Sequence, residues 1–165
     1  MKKLLLILLC VPMIGVGQED IERYKVYDTT NSYNSLLLDS ATGQIWQLQI
    51  GLDDDAGQLK VVLSDVKYAN TLEHYTQKHN DDMQFWEENY NSKADAIVSA
   101  EDKKNYKPMS LEGYLSWHKV AKNGRFKLYP TDNIFNFIMV DVIDGDTYQV
   151  QWNTKSKKRF VSRFW

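Results

Sequence analysis

The sequence predicts a mainly β protein of the α+β class, in which two internally repeated antiparallel β-meander units are joined by a helical segment. Two observations predict this fold. A stretch of the chain recurs without a gap, and the residues between the two copies are polar and compatible with helices. The chain has 165 residues, 43% of them hydrophobic and 13% aromatic, so we expect one compact folded domain.

The internal repeat aligns residues 23–51 with residues 125–153, at an offset of 125 − 23 = 102. The two segments read RYKVYDTTNSYNSLLLDSATGQIWQLQIG and RFKLYPTDNIFNFIMVDVIDGDTYQVQWN. Ten positions are identical, whereas average residue usage would give about two by chance. The identical pairs are Arg23/Arg125, Lys25/Lys127, Tyr27/Tyr129, Thr29/Thr131, Asn31/Asn133, Asn34/Asn136, Asp39/Asp141, Gly43/Gly145, Gln47/Gln149 and Gln49/Gln151.

Each repeat is predicted to form about four antiparallel strands. Residues 23–27 alternate between polar and apolar side chains, as a half-buried strand does, and residues 35–39 form a short, nearly continuous apolar strand. Gly43 marks a tight hairpin turn, and residues 44–50 alternate again with Trp46 on the apolar side. The fourth strands are expected at Leu59–Leu63 and Arg159–Phe164. The apolar side is expected to be the core side in both repeats.

The segment between the repeats is predicted to be helical. The stretches Thr71–Trp86 and Ser92–Lys104 contain neither glycine nor proline, and Ser110 is a suitable N-cap for a helix running to about Ala121. We expect these helices to pack on the sheets, because a long unstructured linker is uncommon inside a compact domain. The expected units are residues 18–63, 64–124 and 125–165.

The first 17 residues have the layout of a secretory signal peptide. Lys2 and Lys3 precede an apolar run over residues 4–14, and Gly15–Gly17 supplies small residues before an expected cut. The apolar run is too short for a stable transmembrane span, so we expect none after cleavage. Cleavage would also remove Cys10, the only cysteine. The sequence therefore predicts an exported protein, periplasmic or extracellular, without disulfides or a thiol nucleophile.

The second repeat resembles a motif of small exported proteins of Bacteroidetes-type bacteria, in which a run like RYKLYPTxNxxxFxxLDTxxGxxWQVQ occurs, often twice. Tyr129, Pro130 and Thr131 lie on that pattern, as do most of the identities given above. The first repeat departs from it, with Asp28 in place of proline and Ser35 in place of an aromatic residue. The resemblance implies an exported, β-rich protein of a Gram-negative envelope. It implies no catalytic residue.

The segment LLLDSATGQIWQ is also similar to a hairpin motif in the blades of quinoprotein-type propellers. Two units cannot close a propeller, which needs about four or more blades. The similarity therefore implies only a shared hairpin.

The identical polar residues form the candidate site. They alternate along the strands, so they are expected on one side of each sheet, where we call them the candidate polar face. One interpretation is a cross-strand network of structural hydrogen bonds, and the other is a ligand surface present twice. The face comprises Arg23, Lys25, Tyr27, Gln47, Gln49, Arg125, Lys127, Tyr129, Gln149 and Gln151.

The sequence indicates no catalytic, metal or cofactor site. His74 and His79 are five residues apart, which does not place them on one helical face, and His118 lies far from both. We expect these histidines to be exposed or to lie in the linker. Asp53–Asp55 begins no EF-hand loop, because Gln58 stands where such a loop needs glycine. Tryptophans at these spacings are expected in the core.

The charge balance narrows the class of partner. Twenty Lys and Arg against 22 Asp and Glu give a net charge of −2, which does not favour nucleic-acid binding. The basic stretch of residues 155–163 is expected to be a solvated strand end or a patch for an anion or a partner. We expect a non-enzymatic binding protein with a protein partner. A glycan-binding module is the alternative, and a small secreted hydrolase is a third.

Overall fold

The structure is a computed structural model that describes residues 21–51, 57–64 and 66–165. The predicted signal peptide and the Asp53–Asp55 turn lie outside the described residues. All statements below concern the described ranges.

Two four-stranded antiparallel sheets form the β part of the fold, and each is a simple meander. This confirms the predicted mainly β fold with two repeated units and a helical segment between them. The first sheet has the order β1-β2-β3-β4 and the second has the order β5-β6-β7-β8. The strands are β1 Tyr24–Asp28, β2 Asn34–Asp39, β3 Ile45–Gln49, β4 Leu59–Ser64, β5 Phe126–Pro130, β6 Asn136–Asp141, β7 Thr147–Gln151 and β8 Phe160–Arg163.

The hairpin turns lie where the sequence predicts them. Gly43 and Gly145 follow β2 and β6 with φ angles of 77° and 78°, in the left-handed region that favours glycine. Their backbone nitrogens donate to the carbonyl oxygens of Asp39 and Asp141, each at 2.8 Å. The hairpin between β2 and β3 and the hairpin between β6 and β7 therefore have the same turn geometry.

Helix α1, Leu72–Trp86, matches the predicted helical stretch Thr71–Trp86, and the Thr71 hydroxyl caps it by accepting a hydrogen bond from the His74 nitrogen. A single π-helical turn, Glu87–Asn91, continues it. None of the described helices is both long and apolar enough to cross a bilayer.

The two shorter helices differ from the prediction. Helix α2 covers only Ala100–Asn105, because Ser99 rather than Ser92 caps it by accepting from the Asp102 nitrogen. Helix α3, Leu111–Ser116, starts after Ser110 as predicted but ends before Ala121. Neither helix buries a residue. No buried side chain therefore stabilises a longer helix in either place.

The two sheets pack face to face around one hydrophobic core, but they use opposite faces of the repeat. The first sheet buries Leu36, Leu38 and Ile45, each 0% exposed. In the second sheet the positions equivalent to Leu36 and Leu38 are Ile138 and Val140, which lie on the other side and are half-buried. The second sheet buries instead Phe126, Leu128, Phe137, Met139, Tyr148 and Val150.

The expectation that the same apolar side forms the core in both repeats is therefore wrong for the first sheet. Tyr24, Val26 and Trp46, which are equivalent to the buried Phe126, Leu128 and Tyr148, lie on the side that faces away from the second sheet. Both sides of β2 are apolar, so the period-2 pattern did not specify which side is buried.

The ends of the helical segment close the core. Near its start, Ala69 belongs to the core cluster and Tyr68 packs on Tyr148 with ring centroids 4.4 Å apart, and near its end Ala121 packs against the same cluster. The middle of the segment forms a smaller cluster of its own, in which α1 buries Tyr75 and Trp86. The helices thus extend from the sheets at one place instead of covering a sheet face.

Candidate functional site

The first residues of the candidate polar face, Arg23 and Arg125, form ion pairs. Arg23 donates from Nε and Nη2 to the two carboxylate oxygens of Asp39 at 3.3 and 3.0 Å. Arg125 donates from Nε and Nη2 to Oδ2 of Asp141 at 3.1 and 2.9 Å. Each aspartate in turn accepts a backbone N–H from its own hairpin turn, Ala41 in one repeat and Ile143 in the other. The duplicated Arg–Asp pair therefore holds the hairpin against the strand before it.

Burial and hydrogen bonding oppose each other at these carboxylates. Burial raises the pKa of Asp39, but hydrogen bonds from Arg23, Thr42 and the Ala41 nitrogen outweigh it, so the pKa lies below its ordinary value. Burial likewise raises the pKa of Asp141, and the donors around it lower the pKa further than burial raises it. Both groups are charged near neutral pH.

The second sheet carries an additional charge network around Lys119. The Lys119 ammonium lies 3.1 Å from Asp141, 3.1 Å from Asp144 and 2.5 Å from Asp146. Burial lowers the pKa of Lys119, but its hydrogen bonds to Asp146, Asp141 and Asp144 raise it well above its ordinary value. In the first repeat Thr42 and Gln44 stand at the positions of Asp144 and Asp146. The network therefore belongs to one repeat only, and it ties the end of the helical segment to the second sheet.

The glutamines of the candidate polar face bond mainly within their own sheets. Gln47, which is 1% exposed, donates from Nε2 to Asn34 Oδ1 at 2.7 Å. Gln149 donates to Asn136 in the same way at 3.3 Å, although it is half-buried on the outside of the second sheet. Gln151 donates to the Lys158 carbonyl at 2.8 Å. Gln49 is exposed at the end of β3.

The structure brings five of the ten predicted residues to one groove. This groove, of about 900 Å³, runs along the edge strands β1 and β5 where the two sheets meet. Within it, the Tyr27 hydroxyl oxygen accepts a hydrogen bond from the Leu128 nitrogen at 3.4 Å, which links the two repeats. The predicted residues that line the groove are Lys25, Tyr27, Arg125, Lys127 and Tyr129.

Sequence reasoning missed a distinctive surface, the side of the first sheet that faces away from the second sheet. We call it the outer face of the first sheet. Tyr24, Val26 and Val62 are 50%, 55% and 40% exposed on it, although their type is that of core residues. The half-buried Leu37, Trp46 and Leu48 complete its apolar surface, and Lys60 lies beside them.

The aromatic residues of this face are arranged together and flanked by cations. The ring centroids of Tyr24 and Trp46 are 6.5 Å apart. The Lys60 ammonium lies 4.3 Å from the Trp46 ring centroid, and the Arg23 guanidinium lies 5.2 Å from that of Tyr24, both within cation–π range. The uninterrupted run Leu36-Leu37-Leu38 was the available sequence signal, because such a run is typical of a strand covered on both faces.

The three histidines lie in the helical segment, as expected, and the tryptophans correct one expectation. His79 is buried within that segment, with Nε2 2.9 Å from the Met109 carbonyl oxygen. Trp152 lies in the core as expected, but Trp117 is 81% exposed and Trp165 is fully exposed. Among the described residues no group of three metal-ligating side chains is placed to hold an ion.

Comparison of the chain with protein-family models, with curated proteins and with solved structures finds no match.

Proposed function

We propose that this chain is an exported, non-enzymatic protein-binding domain that holds its partner on the outer face of its first sheet. One observation carries the proposal. Apart from Ser35, the strand positions that are apolar and buried in the second sheet recur on the first sheet with apolar side chains, and there they are exposed or only half-buried. A contiguous exposed apolar patch of this kind is typical of a protein-protein interaction site.

The composition of the outer face suits a protein partner. Trp46 and Tyr24 are of the residue types that dominate binding energy at interfaces, and Lys60 and Arg23 place charge at the edge of the patch. The patch lies across neighbouring antiparallel strands, so its geometry fits the apolar face of another β-sheet. The proposed partner therefore presents such a face.

Export supports the same proposal. The layout of residues 1–17 is that of a secretory signal peptide, and the second repeat resembles exported envelope proteins of Bacteroidetes-type bacteria. We propose that the protein works in the periplasm or outside the cell, where it meets its partner without a membrane span of its own.

Site-specific photocrosslinking in the native host tests the proposal. A photoreactive phenylalanine analogue at Val26, which is 55% exposed on the outer face, is expected to give a defined crosslinked protein product. The matched control is the same analogue at Ile97, which is 75% exposed in the helical segment. A product from position 26 and none from position 97 supports the proposal. No product, or the same products from both positions, contradicts it.

Glycan binding is the second candidate, and the groove along β1 and β5 favours it. Tyr27 and Tyr129 supply aromatic surface in that groove, and Lys25 and Lys127 supply hydrogen-bond donors. A glycan-array signal that is lost in Lys127→Ala and unchanged in Val26→Lys would establish this candidate and would locate it away from the outer face.

A further inference from the structure

We propose that the partner of the outer face of the first sheet is a second copy of this chain, which docks the outer face of its own second sheet there. The outer face of the second sheet is the side of β5–β8 that faces away from the first sheet. The proposal rests on the proposed function and names its partner. It gives a head-to-tail contact, in which each copy offers two different surfaces.

The interface between the two sheets within one chain is the template for the proposed contact. There, one side of the first sheet packs on the opposite side of the second sheet. Because the two sheets are repeats, the two sides that remain outside the core among the described residues are equivalent to the two sides already in contact. The outer face of the first sheet is equivalent to the buried side of the second. The outer face of the second sheet is equivalent to the buried side of the first.

The outer face of the second sheet has residue types similar to those of the buried face of the first sheet. Ile138 and Val140 stand at the positions of the buried Leu36 and Leu38, and Gln149 stands at that of Gln47. Phe160, on β8, is 38% exposed on the same side. At the positions of β2 and β3 whose side chains lie in the core, the second sheet has similar residues. The clearly more polar replacement is Thr147, which stands at the position of Ile45.

The central strands carry independent support from their sequence. Leu36, Leu37 and Leu38 are apolar on both sides of β2, and residues 137–140 are apolar on both sides of β6. Such continuous runs are characteristic of strands that are covered on both faces. Within the described part of one chain, each run is buried on one face and only half-buried on the other. A head-to-tail stack of copies covers the second face of both.

One hydrogen bond identifies the residues that meet in the proposed contact. Within the chain, the Tyr27 hydroxyl of the first repeat accepts from the Leu128 nitrogen of the second. The equivalents of these residues are Tyr129, which is 47% exposed, and Val26, which is 55% exposed. In the proposed contact, Tyr129 of one copy accepts from the Val26 nitrogen of the next. Both residues lie on edge strands and so are accessible.

Repetition of one head-to-tail contact gives a closed ring if the rotation per copy closes and an open filament if it does not. Radially stacked four-stranded sheets close with about four to eight sheets. Two sheets per chain make that a ring of about two to four copies.

Sedimentation velocity of the purified protein tests the proposal. The wild type is expected to associate, and Val26→Lys and Tyr129→Lys are each expected to weaken association at least about tenfold by placing a charge in the contact. Tyr129→Phe is expected to weaken it about two- to tenfold through the loss of one hydrogen bond. Ile97→Lys is the control. Melting curves check folding, and Val62→Lys replaces Val26→Lys if the latter does not fold.

Mixing the two charge variants distinguishes a head-to-tail contact from any symmetric one. Val26→Lys keeps a working second-sheet face, and Tyr129→Lys keeps a working first-sheet face. The mixture is therefore expected to form a 1:1 dimer, although each variant alone is monomeric. Association that only Val26→Lys disrupts would indicate a symmetric dimer of first-sheet faces and would overturn the proposal.

A wild type that stays monomeric at hundreds of micromolar also overturns the proposal. If position 26 then crosslinks to a different protein in the host, the proposed function stands and only the identity of the partner is wrong. If position 26 crosslinks to nothing, both are overturned. A monomer that Val26→Lys destabilises would show that the chain covers this face itself, which again contradicts a second copy.

Discussion

The Arg125 guanidinium donates two hydrogen bonds to Oδ2 of Asp141, and both side chains are almost fully buried, at 5% and 0% exposure. The equivalent pair in the first repeat, Arg23 and Asp39, has the same partners but leaves Arg23 46% exposed. The two arginines thus share the same aspartate partner, but Arg125 is more buried and also donates to the Val120 carbonyl and to Asp144.

We expect Arg125→Ala to lower the free energy of unfolding by about 3–5 kcal/mol, because it leaves a buried carboxylate without its main partner. Arg23→Ala also leaves a buried carboxylate, Asp39, without its main partner, but it is expected to cost less, because Arg23 is 46% exposed and water can reach the site that it vacates. Urea unfolding measures both. Equal costs would show that burial of an Arg–Asp pair does not determine its contribution to the free energy of unfolding.

Stability is expected to fall in acid. The pKa values of Asp39, Asp141 and Asp146 are all lowered from 3.8 in the folded protein. A carboxylate with a lowered pKa binds protons less tightly when folded, so its contribution is fully present above about pH 5 and is lost as the pH falls through the folded pKa. Thermal unfolding between about pH 7 and pH 2 measures the loss.

Two aspartate variants, one at a buried and one at a surface ion pair, test which carboxylates cause this pH dependence. Asp141→Asn is expected to destabilise the protein at neutral pH and to flatten the acid limb of the stability curve, because its charge no longer titrates. Asp95→Asn is expected to change little, since Asp95 pairs with Lys103 at the surface. An acid limb unchanged in Asp141→Asn would contradict the assignment.

The two turn glycines provide a second matched pair. Gly145→Ala is expected to cost about 1–2 kcal/mol, the cost of a side chain in the left-handed region, because a Cβ there meets open space. Gly43→Ala is expected to cost more, since its Cβ would lie 3.0 Å from Tyr68 and 3.1 Å from Phe126. Chemical denaturation of both variants checks this order. The reverse order would argue against the close packing of the first turn on the second sheet.

Truncation of neighbouring leucines tests the opposite burial of the two sheets. Leu36→Ala is expected to cost about 2–5 kcal/mol, because Leu36 is 0% exposed, and Leu37→Ala is expected to cost clearly less. In the second sheet the order is shifted by one residue, so Met139→Ala is expected to cost more than Ile138→Ala. Unfolding is measured at a dilution where the protein is monomeric. This packing would be contradicted if the equivalent residues were the costly ones in both sheets, so that Ile138→Ala cost more than Met139→Ala.

The sequence by itself determined the repeat, its hairpins and most of the helix starts, because these depend on residues close together in the chain. Gly43 and Gly145 specify the turns, and Thr71 and Ser110 cap the helices. The start of α2 was missed because the chain offers Ser92 and Ser99 as caps, and only the structure shows that Ser99 is used.

Only the tertiary structure decided which side of each sheet is buried and which polar residues meet. Period-2 alternation assigns a buried side where one side is polar, but the central strands are apolar on both, so the choice falls to long-range packing. The groove that joins Tyr27 to Leu128 depends equally on residues 101 positions apart. The outer face of the first sheet follows from the same ambiguity: its residues have the sequence of a core, and the packing of two repeats in one orientation leaves them outside it.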